Sequence, residues 1–351
     1  MTVKWLVLSA ITLFITSGTI LLHSPSKTAL AAQASPAQEQ SKQPAPAPPD
    51  PQKQEELDRR PVSPYEIRRY VLEHRDHTAG PDYILSLENY WLRLGIPVEE
   101  WRGYGRCKVD LFRVALSGGS RDDVLLRLYD DSGWSWGCRY LLFQNPEAEH
   151  SNQTRWKFLG NIDLQDERYG PPEHEVITAG NQRFLAITSL AGRGSGYNSY
   201  VESLYEVTAN GLDEVLTFPN HRSISGEGVK DLPTSLLDGR IINTRSTERG
   251  ASIVVEITIT YSVEEMDLWK KTQRATFNRD ADSSSFELDP TRSDITEEEI
   301  DDVFVSDMRL PKDKMIKYYG KELTSIALGN NSNAKDWLAR FLPEFKPGSQ
   351  D

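Results

Sequence analysis

Residues 200–218 read YVESLYEVTANGLDEVLTF, and the dipeptide Asn210-Gly211 divides this stretch into two runs. Both runs are rich in the β-branched and aromatic residues that favour strands. Asn-Gly is preferred in two-residue hairpin turns, because both of its residues tolerate a positive φ. The stretch therefore predicts a β-hairpin.

Strand-like alternation continues on both sides of this hairpin. Upstream, Val109–Phe143 and Trp156–Leu190 predict two further hairpins, and downstream Ile253–Tyr261 (IVVEITITY) is the clearest single strand of the chain. Turn residues separate the runs. The predicted strands lie near residues 108–116, 123–130, 137–143, 155–164, 174–179, 182–190, 200–208, 212–218, 240–247, 252–263, 268–277 and 284–288.

Helical patterns occupy both ends of this β region. Ser63-Pro64-Tyr65-Glu66 has an N-cap serine followed by proline at the first helical position, and Thr296-Glu297-Glu298-Glu299 is a capping box. Because helices precede and follow a long run of strands, the order indicates a mainly β (α+β) fold. We expect an antiparallel sandwich or twisted meander with helical N- and C-terminal flanks, and a small β-propeller-like fold is the alternative. The predicted helices cover residues 64–76, 82–94, 296–307, 312–328 and 333–342.

The first 61 residues differ in composition from the rest. Lys4 precedes an uncharged, mostly apolar run, Trp5–Leu22, and Ala29-Leu30-Ala31 has the small-x-small pattern of a signal-peptide cleavage site. We therefore expect residues 1–32 to be a signal peptide or, if uncleaved, an anchor. Residues 33–61 are rich in Pro, Ala and Gln, which predicts a disordered linker. Residues 62–351 are predicted to form a single globular domain, with helices in 62–101, a β body in 102–290 and C-terminal helices in 291–345.

The charge of the chain limits its partners. The chain carries 40 Lys and Arg against 52 Asp and Glu, a formal net charge of −12. Such a surface repels phosphate groups, so we expect no nucleic-acid partner. The export signal predicts an extracytoplasmic protein that is secreted, periplasmic or membrane-tethered, with membrane contact only through residues 1–22 if they stay uncleaved. An envelope protein or a glycan is the expected partner.

The chain has two cysteines, Cys107 and Cys138, both in the β-rich part. In an oxidising compartment they could form one disulfide between neighbouring strands. The alternative is two buried thiols that act as small hydrophobic residues. Their spacing leaves both readings open, because the strand register decides the distance between the two sulfurs.

Two loops are candidates for ligand contacts. A glycine-rich connection, Gly192–Asn198, does not have the G-x-G-x-x-G spacing of a dinucleotide-binding loop, and strands flank it on both sides. It is predicted to be either a long flexible hairpin loop or a binding surface, because loops on a β scaffold often carry function. A glycine-bearing turn holds two tryptophans that would serve as stacking platforms or as a local core plug. The candidate ligand-binding residues are Trp134, Trp136, Arg193, Tyr197, Asn198 and Tyr200.

Motifs of catalysis are missing from the sequence. It contains no G-x-S-x-G, no H-E-x-x-H and no C-x-x-C, and neither cysteine has the context of a nucleophile. No metal site and no cofactor are predicted, and no catalytic residue can be assigned. The leading hypothesis is therefore an exported binding or assembly module of the cell envelope without catalysis of its own. The alternative is a hydrolase of envelope glycans that uses dispersed carboxylates.

Overall fold

The computed structural model describes the part of the chain that follows the predicted linker. The described residues are 62–74, 89–96, 107–118, 122–130, 137–145, 156–165, 171–194, 196–225, 231–248, 250–264, 266–280, 282–305 and 309–348. They all lie within one unit, Gln52–Asp351. The predicted signal peptide and linker, residues 1–61, lie outside the described residues.

Twelve strands in the described residues form two antiparallel sheets. This confirms the predicted mainly β fold, and each predicted strand has a counterpart. The small sheet has the order β1-β2-β3-β4, and the large sheet has the order β12-β11-β10-β9-β8-β7-β6-β5. The strands are β1 (Cys107–Val114), β2 (Asp123–Asp130), β3 (Gly137–Gln144), β4 (Lys157–Gln165), β5 (Glu173–Ala179), β6 (Gln182–Gly194), β7 (Tyr197–Thr208), β8 (Gly211–Ile224), β9 (Thr234–Thr247), β10 (Gly250–Val263), β11 (Met266–Asp280) and β12 (Glu287–Leu288).

The pairing of the strands differs from the three predicted hairpins. Tyr200–Phe218 is a hairpin, with Thr208 opposite Gly211. Val109–Phe143 instead spans three strands of the small sheet, and Trp156–Leu190 leaves the small sheet after β4 and enters the large sheet at β5. The two sheets of four and eight strands also differ from the blades of a propeller, which are four-stranded and number at least four.

Several strands are longer than the sequence predicts. Strands β6 and β7 extend into the glycine-rich connection, so that Arg193 lies opposite Asn198. The predicted long loop at Gly192–Asn198 was therefore wrong in its extent. The predicted strands near 212–218 and 240–247 are also too short, because β8 continues to Ile224 and β9 begins at Thr234. Hydrogen bonds to neighbouring strands hold these polar segments in the sheet, and the apolar pattern does not reveal that pairing.

Helices flank the sheets as expected. Helix α1 is Pro64–His74, residues 89–94 are helical, α2 is Glu297–Ile300, α3 is Lys312–Leu328 and α4 is Ser332–Phe341. The helix predicted over 296–307 is α-helical over Glu297–Ile300 and then becomes a π-helical turn, Asp301–Val305, and its predicted end lies outside the described residues. No helix in the described part of the chain combines the length and the apolar character needed to cross a membrane.

Three clusters of buried side chains organise the layers. In β2, Leu126 and Leu128 pack with Ile67 of α1, whereas the adjacent Leu125 packs with Leu185 of β6. Neighbouring residues of a strand point to opposite faces, so the small sheet is covered by α1 on one side and by the large sheet on the other. The third cluster joins the large sheet to α3 and α4.

Two glycines allow the sheets to meet. Gly211, in the turn between β7 and β8, and Gly160, in β4, have φ values of +138° and +154°. A Cβ atom on Gly160 would lie 2.8 Å from the backbone nitrogen of Leu212. Glycine is therefore required here for the close approach of the two backbone segments as well as for the backbone angles.

Candidate functional site

An open groove lies beside the first strand of the small sheet. Strand β1 is an edge strand, and the described residues place no strand on its outer side. Helix α1 runs beside it, and the groove between them has a volume of about 350 Å³. The groove is lined by Tyr65, Arg68, Val109, Asp110, Leu111 and Phe112.

The sequence at the start of α1 fixes the helix side of the groove. The Oγ atom of Ser63 accepts a hydrogen bond from the backbone N–H of Tyr65 at 3.3 Å, as expected for an N-cap serine. Ile67 and Val71 are fully buried against the small sheet. Tyr65 lies outside this apolar stripe, is 44% exposed and packs edge-on against Trp156 with the ring centroids 5.6 Å apart.

Arg127 of the neighbouring strand β2 fixes the β1 side of the groove. Arg127 donates from Nη2 to the Asp110 carboxylate at 2.6 Å and from Nη1 to the Pro172 carbonyl at 2.9 Å. The Tyr140 hydroxyl donates to the same carbonyl at 2.7 Å. Arg127 also lies over the Phe112 ring, 5.0 Å from its centroid. These contacts join β1 and β2 to the segment before β5, so the groove borders a part of the small sheet that is fixed to the large sheet.

The half-buried His174 packs against the same part of the small sheet. The ring centroid of His174 lies 4.3 Å from that of Phe112 and 5.6 Å from that of Tyr140. Burial, followed by the positive charge of Arg127, lowers the pKa of His174, and the Asp110 carboxylate opposes the shift. His174 is therefore neutral at pH 7 and separates two aromatic rings without adding a second charge beside Arg127.

This histidine should make stability depend on pH. An unfolded histidine has a pKa of about 6.5. Between this pKa and the lower pKa of the folded state, His174 is mostly protonated in the unfolded chain and mostly neutral in the folded chain. We expect the free energy of unfolding to fall as the pH decreases through 6.5 toward the lower folded-state pKa, and to be unaffected by this residue above 6.5. His174→Phe, which keeps a ring between Phe112 and Tyr140, should flatten this slope in urea unfolding curves. Parallel pH curves for the two proteins would contradict the expectation.

The structure divides the six predicted ligand-binding residues. Trp134 and Trp136 lie outside the described residues. Because side chains alternate along a strand, Tyr197 of β7 points away from the face shared by Asn198 and Tyr200, and Arg193 shares the face of its cross-strand partner Asn198. Three of the four described residues of the set, Arg193, Asn198 and Tyr200, therefore share one face of the sheet, and Tyr197 lies on the other.

The two tyrosines of this set contact different neighbours. The Tyr197 ring packs under the guanidinium of Arg222, whose carbon lies 5.5 Å from the ring centroid. Arg222 is 4% exposed and donates to the Val303 carbonyl of the π-helical turn. Beside Arg222 is a cavity of about 20 Å³, which is room for a single water molecule. Tyr200 instead packs on His221, with the centroids 6.3 Å apart.

The cysteines are not joined in this fold. Both are buried thiols, and neither takes part in a disulfide. Cys107 lies on β1 and Cys138 on β3, with β2 between them, and the two residues belong to core clusters on opposite faces of the small sheet. Strands separated by an intervening strand are about 10 Å apart, which exceeds the span of a disulfide. Of the two alternatives, the structure has the buried thiols.

Acidic groups with raised pKa values lie away from the groove. Burial raises the pKa of Glu202, which accepts a hydrogen bond from Asn220 at 3.1 Å, and the charge of Glu175 adds to the shift. Burial and the charge of Asp302 raise the pKa of Asp301. The groove is lined by a single carboxylate, Asp110. Across the described ranges, no group of three or more His, Cys, Asp or Glu side chains is placed to hold a metal ion.

Sequence reasoning missed the groove. Its residues come from two segments about forty positions apart, and the strand order that brings them together is a property of the whole sheet. The available signal was Tyr65, an aromatic residue outside the apolar stripe of α1 formed by Ile67, Tyr70 and Val71. The chain matches no protein-family model, no curated protein and no solved structure.

Proposed function

We propose that the chain is an exported, non-catalytic binding or assembly module of the cell envelope that takes an extended segment of a partner protein as an additional strand at β1. The observation that carries this proposal is the groove of about 350 Å³ between α1 and the outer side of β1. The apolar run after Lys4 and the Ala29-Leu30-Ala31 pattern support export.

Strand addition follows from the chemistry of a sheet edge. In an antiparallel sheet, alternate residues of an edge strand direct their N–H and C=O groups outward, where they are available to another chain. Recognition by strand addition combines these backbone hydrogen bonds with side-chain pockets beside the edge. Here α1 supplies such a pocket through Tyr65, and β1 supplies Leu111 and Phe112.

The hydrolase alternative is less well supported. Glycoside hydrolysis requires two carboxyl groups on either side of the scissile bond. The groove contains only Asp110 among its lining residues, and Arg127 holds that carboxylate in an ion pair. We therefore favour binding over catalysis.

A random heptapeptide library displayed on phage, selected against the full-length protein, tests the proposal. Selected peptides should bind about tenfold more weakly to Tyr65→Ala, because an aromatic lining residue is lost. Leu72→Ala is the matched control: Leu72 is also an exposed apolar residue of α1, at 38% against 44% for Tyr65, and lies outside the groove. Fluorescence anisotropy measures both affinities.

Backbone chemistry separates strand addition from other modes of binding. A selected peptide that is N-methylated at alternate positions cannot donate the ladder hydrogen bonds. Of the two possible methylation patterns, the one that blocks the donors facing β1 should abolish binding. If no peptide is enriched, or if both methylated forms bind like the parent peptide, the proposed strand addition is wrong.

A further inference from the structure

We infer that the segment received at β1 is acidic, so that the groove selects extended peptides in which carboxylates alternate with apolar side chains. This inference rests on the proposed function and specifies the chemistry of its partner. It follows from the charges that surround the groove, which are opposite in sign to the net charge of −12 of the whole chain.

Two arginines lie on the α1 side of the edge strand. Arg68 lines the groove from α1, and Arg113 is exposed near the end of β1. Arg113 shares the face of Val109 and Leu111, because side chains alternate along a strand. Among the described residues, no Asp or Glu forms an ion pair with either arginine. An added strand therefore meets two cations on the face that it turns toward α1.

The nearby carboxylates are occupied or directed elsewhere. Asp110 is held by Arg127 at 2.6 Å. On α1, Glu73 lies 3.9 Å from Arg69 rather than from Arg68. In the part of the chain that the structure describes, Glu66 forms no ion pair with Arg68, and burial together with the charge of Glu66 raises the pKa of Tyr90. Arg68 is thus the groove cation that a ligand carboxylate can engage.

The apolar part of the groove sets the remaining requirement. Val109 and Leu111 face α1, and Phe112 lies on the opposite face with its ring under Arg127. A strand that turns its carboxylates toward Arg68 and Arg113 on the α1 face therefore places its alternate side chains on the face of Phe112, where apolar side chains find a contact. Charged groups at the rim act over about 8–10 Å at physiological salt, so the selection for acidic residues should weaken as salt is added.

Two synthetic peptides test the inference on the full-length protein. One is a fluorescein-labelled heptapeptide in which valine alternates with glutamate, and the other has lysine in place of glutamate. We expect the glutamate peptide to bind at least about tenfold more tightly at low salt, and this preference to shrink at high salt. Arg68→Glu should remove the preference.

Arg69→Glu is the matched control, because it makes the same change of charge one position away, at a side chain that is 70% exposed and outside the groove. It should leave both affinities within about twofold, since exposed pairs contribute little. Equal binding of the two peptides, or equal effects of the two charge reversals, would overturn the inference while leaving strand addition intact. The same holds if only neutral or basic peptides emerge from the phage library. A library that yields no binder at all would instead remove the proposed function itself.

Discussion

Trp337→Ala should lower the free energy of unfolding by about 3–5 kcal/mol, the cost of removing a large buried aromatic side chain. Trp337 is 1% exposed and is one of the largest fully buried side chains in the described residues. Its ring stacks on Phe341 at 5.1 Å and contacts Trp269 at 6.1 Å. Because the free energy of unfolding of a domain is only about 5–15 kcal/mol, this single substitution should remove a large part of the stability of the protein.

The indole nitrogen of Trp337 adds a second contribution to stability, through a hydrogen bond. Trp337 Nε1 donates to the carbonyl of Asp231 at 2.9 Å, and Arg340 of the same helix donates to the Asp231 carboxylate at 2.9 Å. Asp231 has a φ of +66°, a conformation that is unfavourable for a residue with a side chain. Helix α4 therefore holds Asp231, three residues before the start of β9, in place, in addition to filling the core.

Two further variants separate packing from hydrogen bonding. Trp337→Phe keeps a ring in the core but loses the donor, so it should cost less than Trp337→Ala. Asp336→Ala changes the adjacent, exposed position and should shift stability by less than about 0.5 kcal/mol. Urea unfolding followed by circular dichroism measures all three. A Trp337→Ala protein as stable as Asp336→Ala would show that α4 is not part of the cooperative core.

Local patterns predicted the elements of this fold well. Helix α3 begins at Lys312 and ends at Leu328, the bounds expected from the sequence. The alternation of β10, from Gly250 to Val263, is visible in the sequence because the residues at odd positions from Ala251 to Tyr261 are all apolar. In the structure these residues are all buried. Periodicity is a property of neighbouring residues, so it can be read without knowledge of the partner strand.

The assignment of strands to sheets could not be predicted in the same way. The chain leaves the small sheet after β4 and begins the large sheet at β5, although the pattern of Trp156–Leu190 is continuous with what precedes it. Contacts between distant segments decide this, such as the approach of Gly160 to Leu212. The groove depends on the same long-range arrangement, which explains why Arg68 and Asp110 were not recognised as neighbours.

The capping box at α2 shows how a correct local prediction can have an unexpected outcome. Thr296 Oγ1 accepts a hydrogen bond from the backbone N–H of Glu299 at 3.1 Å, as the pattern predicts. The Glu299 carboxylate instead turns inward, where Lys271 Nζ and Gln273 Nε2 donate to its two oxygens, each at 3.2 Å. Lys271, 28 positions away on β11, therefore binds the Glu299 carboxylate, which the capping-box pattern predicts to accept a hydrogen bond at the start of the helix.

Lys271→Met should lower the free energy of unfolding by about 3–5 kcal/mol, because it leaves the buried Glu299 carboxylate without its counter-charge. The side chains of Lys271 and Glu299 are 20% and 7% exposed. Lys271 also donates to the Tyr318 carbonyl at 3.0 Å and lies over the Tyr319 ring, 5.1 Å from its centroid. Lys270→Met is the matched control, since it makes the same change at the adjacent exposed position and should have little effect.

The double variant Lys271→Met/Glu299→Gln decides whether the ion pair is responsible. With the carboxylate neutralised, no uncompensated charge remains in the core, so the double variant should be more stable than the sum of the two single losses by about 1–3 kcal/mol. Urea unfolding of the four proteins gives this coupling energy. Additive losses would mean that Lys271 acts through its contacts with Tyr318 and Tyr319 alone. A coupled result would show that the strand pattern and the capping box are joined through one buried charge pair, which anchors α2 to the large sheet.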